Sequence, residues 1–120
     1  MLDVSMGFQC QVPILPVLSM DDSLAFYRDT LGFDVAWVWN DNGYAAVKCG
    51  GVEFHLDVQE SYTTYRAHSY LFVEDVEEIY AVYKSKGVDI VQEIEQKPWG
   101  VKEFTIRELN GHRFRIAQQV

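Results

Sequence analysis

Two segments of this chain spell the same order of elements, and that repetition limits the fold more than any other feature. The first copy has a strand over residues 11–17 and a helix over residues 20–31. Ser19 is placed to cap that helix, Asp21 and Asp22 sit in its first turn, and Met20, Leu24, Tyr27 and Leu31 form one apolar stripe. Gly32 ends it, as a left-handed position requires. Strands follow at Asp34–Trp39, Tyr44–Cys49 and Val52–Val58, separated by the turn dipeptides Asn42-Gly43 and Gly50-Gly51. The second copy has a strand at 69–73, then a helix capped by Asp75. That helix starts with Glu77 and Glu78, ends with Lys84, Lys86 and Gly87, and carries the stripe Val76, Ile79, Tyr80, Tyr83. Strands at 89–95, 101–109 and 112–118 complete it. Local matches tie the copies together: LGFDV at 31–35 against KGVDI at 86–90, and GVEFHL at 51–56 against GHRFRI at 111–116.

Each copy therefore reads βαβββ, with modules at residues 8–58 and 68–119 of a single domain spanning 1–120. The predicted class is α+β: two modules forming a curved mixed sheet, helices outside, with a concave face left over because each helix stripe covers only one sheet face. At 120 residues and 48% hydrophobic content the chain can bury a core. A net charge of −8, from 18 acids and 10 bases, argues against a nucleic-acid partner and permits a cationic ligand. The same charge also serves solubility alone. The start of the chain lacks the features of a signal peptide or lipid anchor, and no apolar run has the length of a membrane helix, so the expected location is the cytoplasm. Cys10 and Cys49 lack a CxxC spacing and are expected to be free, buried or half-buried small hydrophobes within strands.

Residues 23–33, SLAFYRDTLGF, resemble the helix-one signature of the vicinal-oxygen-chelate (glyoxalase/bleomycin resistance protein/dioxygenase) superfamily. Leu71-Phe72-Val73-Glu74-Asp75-Val76 is similar to that family's entry to helix two. Glu108-Leu109-Asn110-Gly111 is similar to its closing turn, with Glu-Leu where Asp-Pro is usual. The stretch Pro98-Trp99-Gly100-Val101-Lys102-Glu103-Phe104 is similar to one in the bleomycin-resistance branch, whose members sequester a cationic drug without chemistry, as homodimers with sites between subunits.

The resemblance implies four cavity-facing metal positions, which fall on Val12, His55, His68 and Arg115. Valine offers no lone pair, and a guanidinium stays protonated and would repel a cation. Two histidines remain, with Glu53 or Gln11 as helpers. His55, His68 and Glu53 are thus the metal candidates of an incomplete set, and no cofactor and no catalytic residue are assigned. Both histidines read equally as polar groups lining a wet cavity.

Alternation in the strands puts Val52, Phe54 and Leu56 under a helix, leaving Glu53, His55 and Asp57 toward the cavity. The same rule sends His68, Tyr70, Glu103, Thr105, Arg113 and Arg115 to that face, where an arginine needs a carboxylate partner. Trp37 and Trp39 share one face of their strand, and Trp99 stands at a loop edge. Indole faces suit flat or cationic ligands, although Trp37 reads as well as core or dimer interface. Tyr62 and Tyr65 in the linker 59–67 line the rim or are simply exposed. The expected ligand-binding set is Trp37, Trp39, Glu53, His55, Asp57, His68, Trp99, Glu103 and Arg115. The expected function is non-catalytic binding of an aromatic or cationic antibiotic of the bleomycin type, with a metal-dependent glyoxalase-like lyase or ring-cleaving dioxygenase as the alternative.

Overall fold

Ser19 Oγ accepts a 3.2 Å hydrogen bond from the Asp22 backbone N–H and starts the first helix, as the sequence predicts. The computed structural model describes residues 4–39, 41–59 and 65–120. Strand β1 (Ile14–Val17) leads into α1 (Met20–Ala25), which continues in a π-wound segment, Phe26–Leu31. The sequence predicts one uniform helix over this span. In the structure its last N–H, on Gly32, reaches back five residues to the Tyr27 carbonyl, and Gly32 closes it at φ 84°.

Strands β2 (Asp34–Trp39), β3 (Tyr44–Cys49) and β4 (Val52–Val58) complete the first sheet in the order β1-β4-β3-β2. The β2–β3 turn uses Asp41 and Asn42 at φ 51° and 63°, one residue earlier than the predicted Asn42-Gly43. The second half repeats the plan with β5 (His68–Phe72), α2 (Val76–Ser85), β6 (Asp89–Lys97), β7 (Val101–Arg107) and β8 (Arg113–Gln119), in the order β5-β8-β7-β6. Asp75 caps α2 by accepting from the Glu78 N–H at 3.1 Å. In both sheets the first strand pairs parallel to the last and the other pairs are antiparallel. β1 begins at Ile14, so the predicted strand over 11–17 is shorter than the apolar run suggested.

One register irregularity occurs at the same place in both halves. Val35 pairs with Val47 but Trp37 with Ala46; Ile90 pairs with Ile106 but Gln92 with Thr105. Each outer strand thus carries one extra residue, Ala36 or Val91, which transfers the residues beyond it to the other face. Paired regularly, with Ala36 opposite Ala46, the same residues would set Trp37 opposite Ala45, on the core side.

The core is shared. Tyr27, Phe33, Phe54, Phe104 and Phe114 belong to one buried cluster, and the Phe54 and Phe114 rings stack at 5.0 Å with a 6° tilt. The modules therefore join through their helix-side faces. Polar bonds cross the same seam. Tyr27 Oη donates to Glu108 Oε2 at 2.6 Å, Tyr83 Oη donates to the Leu31 carbonyl at 2.7 Å, and the Leu18 N–H donates to Asn110 Oδ1 at 3.1 Å. Burial, then the Glu108 charge, holds the Tyr27 phenol well above its ordinary range. Burial chiefly, with Cys49 adding, pushes Tyr83 up to about 12.

Both cysteines are free and Cys49 lies in a strand, as expected, but the expected burial is corrected. Both are exposed: Cys10 precedes β1 and Cys49 is the last residue of β3, next to the Gly50-Gly51 turn, where the strand has left the core. Among the described residues no helix is long and apolar enough to cross a membrane.

Candidate functional site on the open sheet faces

The face of each sheet opposite the shared core carries the expected site residues, and the structure divides them into two groups. Because the modules join through their helix-side faces, the two open faces are separate within one chain. The single mixed-charge cavity expected to hold Glu53 and Asp57 together with Glu103, Arg113 and Arg115 is not formed by one chain alone.

On the first sheet, Trp37 stacks on Tyr44 at 5.9 Å with a 17° tilt, and His55 meets both rings edge-on at 5.1 and 5.3 Å. The register explains this: Ala46 pairs with Trp37 on one side and His55 on the other, so the small Ala46 side chain leaves the rings room to meet above it. Trp37, Val38, Trp39, Gly43, Tyr44 and Asp57 line an open pocket of about 540 Å³. That volume falls in the range of small-molecule sites. Trp37 is 43% exposed and Trp39 is 69% exposed, so neither is core. His55 Nδ1 lies 2.8 Å from Tyr44 Oη, and its Nε2 lies 3.3 Å from Glu53 Oε2, so both ring nitrogens are engaged. Lys48 Nζ stands 3.9 Å from Glu53 Oε1. Asp57 accepts from Gln59 Nε2 at 3.0 Å. Desolvation, then the Asp57 charge, raises the Tyr44 phenol above its ordinary range, so it stays a neutral hydrogen-bonding group.

On the second sheet, Glu103 is fully buried, a correction to its expected role as a cavity-wall carboxylate. Tyr70 Oη donates a short hydrogen bond to Glu103 Oε1. Arg115 Nε lies 3.3 Å from Oε2, too poorly aligned for a hydrogen bond, so that oxygen is answered by charge alone. The Arg115 guanidinium also sits 5.3 Å from the Tyr70 ring centroid. Trp99 Nε1 donates to Tyr70 Oη at 3.3 Å, which ties the 59%-exposed indole of the β6–β7 turn to this face. Lys97 Nζ lies 5.9 Å from the Trp99 ring. His68 is exposed at the start of β5. It meets the first sheet's residues only in an open cleft of about 360 Å³, shared with Glu53, Gln11 and Pro13.

The implied metal does not fit these residues. Val12 precedes β1 and has no donor, Arg115 is a cation held by Glu103, His55 is committed at both nitrogens, and His68 stands on the other sheet. Among the described residues no three His, Cys, Asp or Glu side chains converge.

Tyr44 and Tyr70 organise the two groups, yet sequence reading left both out of the binding set. The alternation rule applied to β3, with Val47 in the core, already puts Tyr44 on the open face. Tyr65 is exposed and borders a smaller cleft with Ile14, Pro16 and Asp57; Tyr62 lies outside the described residues.

Residues 9–116 match the family model of the Glyoxalase/Bleomycin resistance protein/Dioxygenase superfamily. This chain belongs to that superfamily. Among solved structures, TioX from Micromonospora sp. ML1 is similar over 94% of this chain and 100% of its own, with TM-score 0.82 and 23% identity. The bleomycin resistance determinant encoded on the transposon Tn5 is similar over 93% of this chain and 98% of its own, with TM-score 0.80 and 22% identity. The bleomycin-binding protein from bleomycin-producing Streptomyces verticillus, complexed with copper(II)-bleomycin, is similar over 91% and 94%, with TM-score 0.75 and 21% identity. These likenesses establish the glyoxalase/bleomycin resistance fold. No curated protein matches the chain.

Proposed function

We propose that this superfamily member is a non-catalytic small-molecule binding protein, sequestering a cationic, aromatic antibiotic of the bleomycin type in the cytoplasm. The observation that carries this reading is the exposed Trp37–Tyr44 stack beside Asp57 in an open pocket. Aromatic faces next to a carboxylate hold a flat cation by stacking and charge, each cation–π contact contributing about 0.5–2 kcal/mol. Trp39, Glu53 and His55 complete that wall; Trp99, His68 and Arg115 belong to the wall on the second sheet, with Glu103 buried beneath Arg115.

The working unit is a homodimer in this reading, with modules 8–58 and 68–119 of one domain meeting their counterparts in a second copy. A radius of gyration of 15.6 Å exceeds the roughly 14 Å of a compact chain of this length, in line with two sheet faces left uncovered. Exposed Ile14, Trp37, Trp39, Tyr70, Phe72 and Trp99 on those faces give a second copy apolar surface to cover.

Calorimetry with metal-free and copper-loaded bleomycin tests the proposal. Heat at micromolar protein, with the drug recovered unchanged by mass spectrometry, is the expected result. Silence from a folded sample would remove the drug reading. Stoichiometric nickel, zinc, iron or manganese in purified protein would favour the lyase or dioxygenase alternative instead.

A further inference from the structure

We infer that the open face of the second sheet carries a subsite for a small-molecule oxyanion, a carboxylate or phosphate group held by Arg113 and Arg115. The chain is strongly acidic, yet three of its five arginines, Arg107, Arg113 and Arg115 (the others being Arg28 and Arg66), lie together on this one face. The register sets them side by side. Arg113 pairs directly with Arg107 on one side and with His68 on the other, and Arg115 follows two residues along the same strand. Cation opposite cation is unfavourable in a sheet unless something negative lies between or above.

The internal acids answer only part of this charge. Asp89 takes Arg107, with Nη1 at 2.8 Å from Oδ2. Glu103 takes Arg115 from below, with Nε its nearest atom. Among the described residues no carboxylate pairs with Arg113, and the terminal nitrogens of Arg115 donate no hydrogen bond. Arg115 is also fixed in direction, by a fully buried carboxylate beneath and the Tyr70 ring alongside. A guanidinium confined between a buried charge and an aromatic ring, with its terminal N–H groups undonated, offers a fork for two oxygens, and less side-chain freedom is then lost on binding. Thr105, the cross-strand partner of Arg115, adds a hydroxyl on the same face, and the exposed His68 adds an imidazole. The first sheet has the opposite character at this level: Glu53 stands where the repeat puts Arg113, and His55 where it puts Arg115. The two halves have diverged into an acidic aromatic wall and a basic one.

Arg115 and His68 also stand in the wall proposed for the antibiotic, so the anion preference is tested with probes other than bleomycin. Four naphthalene probes of one shape test it: 2-naphthoate, 2-naphthyl phosphate, neutral 2-naphthylmethanol and cationic 2-naphthylmethylamine, followed by calorimetry on the full chain. At least one anionic probe is expected to bind about tenfold or more tighter than the neutral one. Whichever of the two is tighter identifies the oxyanion. Arg113→Ala, at an exposed position, is expected to cost that probe about fivefold or more while leaving the cationic probe unchanged. Arg115→Lys keeps the charge against Glu103 but removes the fork, and is expected to weaken the anion comparably with the melting temperature retained. Anionic probes no tighter than the neutral one would overturn the inference, as would full anion affinity in Arg113→Ala. Bleomycin binding with no anion preference would leave the sequestration reading intact and sink only this one.

Discussion

Tyr27 and Glu108 are 81 residues apart in the chain, yet a 2.6 Å hydrogen bond joins them inside the core, one from each module. The same carboxylate accepts a short bond from the Asn110 N–H, and Asn110 reaches Ser23 on α1 at 3.2 Å. Glu108 is 2% exposed, so its charge is supported by these donors and by little water. Glu108→Ala removes the acceptor for a buried phenol and a buried amide, at about 1–3 kcal/mol per orphaned group. Tyr27→Phe is expected to cost about as much as a single orphaned group. Urea unfolding measures both; a shift of the midpoint within error for Glu108→Ala would show that the seam does not depend on this pair.

Stability is expected to fall on the alkaline side. The folded-state pKa of Tyr83 is raised from its ordinary 10.0 to about 12 by burial, so the folded chain keeps a proton that the unfolded chain gives up. The contribution is complete below pH 10 and declines as pH climbs from 10 toward 12, by about 2–3 kcal/mol in all. Tyr27 shifts in the same direction and adds to the loss. Unfolding midpoints at pH 8, 10 and 11.5 check this, and Tyr83→Phe is expected to flatten the decline above pH 10.

Arg115→Ala leaves Glu103 buried with no cation beside it. A fully buried broken pair costs about 3–5 kcal/mol, and the partial exposure of Arg115 lowers the expectation to about 2 kcal/mol. Adding Glu103→Gln to that variant is expected to restore much of the loss, because the remaining amide carries no charge. Thermal unfolding of the single and double variants reads the difference; equal destabilisation in both would mean that the pair contributes nothing as a pair.

Trp37→Ala and Trp99→Ala separate binding from folding. Both indoles are largely exposed, so each substitution is expected to change stability by less than about 1 kcal/mol. Trp37→Ala removes half of the aromatic stack and is expected to weaken copper-bleomycin at least about tenfold; Trp99→Ala is expected to weaken it less. A loss of stability matching the loss of binding would give these rings a structural role instead.

Cys10 and Cys49 are expected to react with a thiol reagent in the native protein, at two thiols per chain, because both are free and exposed. A reading near zero without denaturant would show that one or both are covered in the assembled protein.

The element order, both helix caps and the core faces of β4, β7 and β8 were legible because period-two and stripe patterns report which side meets a helix. The caps at Ser19 and Asp75 follow from local chemistry alone. Less legible was everything that depends on contacts across the chain. The burial of Glu103 needs Tyr70 and Arg115, which reach it from two other strands. The role of Glu108 needs Tyr27 from the other module. The exposure of Cys49 reflects where the turn leaves the core, which apolar character does not reveal. Alternation put Trp37 and Trp39 on one face, but the face itself was set by an inserted residue that no pattern marks.

That insertion has a wider consequence. Ala36 has no side chain of size and is exposed, yet whether it is bulged out or paired decides whether two indoles meet a ligand or the hydrophobic interior. What these rings touch is therefore governed by strand register, with chemical identity second. Deleting Ala36 would only straighten the strand and leave both indoles opposite their present partners, whereas drawing Ala36 into regular pairing would rewrite the lining of the pocket more thoroughly than substituting either tryptophan; engineers seeking to redirect such a cup have a lever in register.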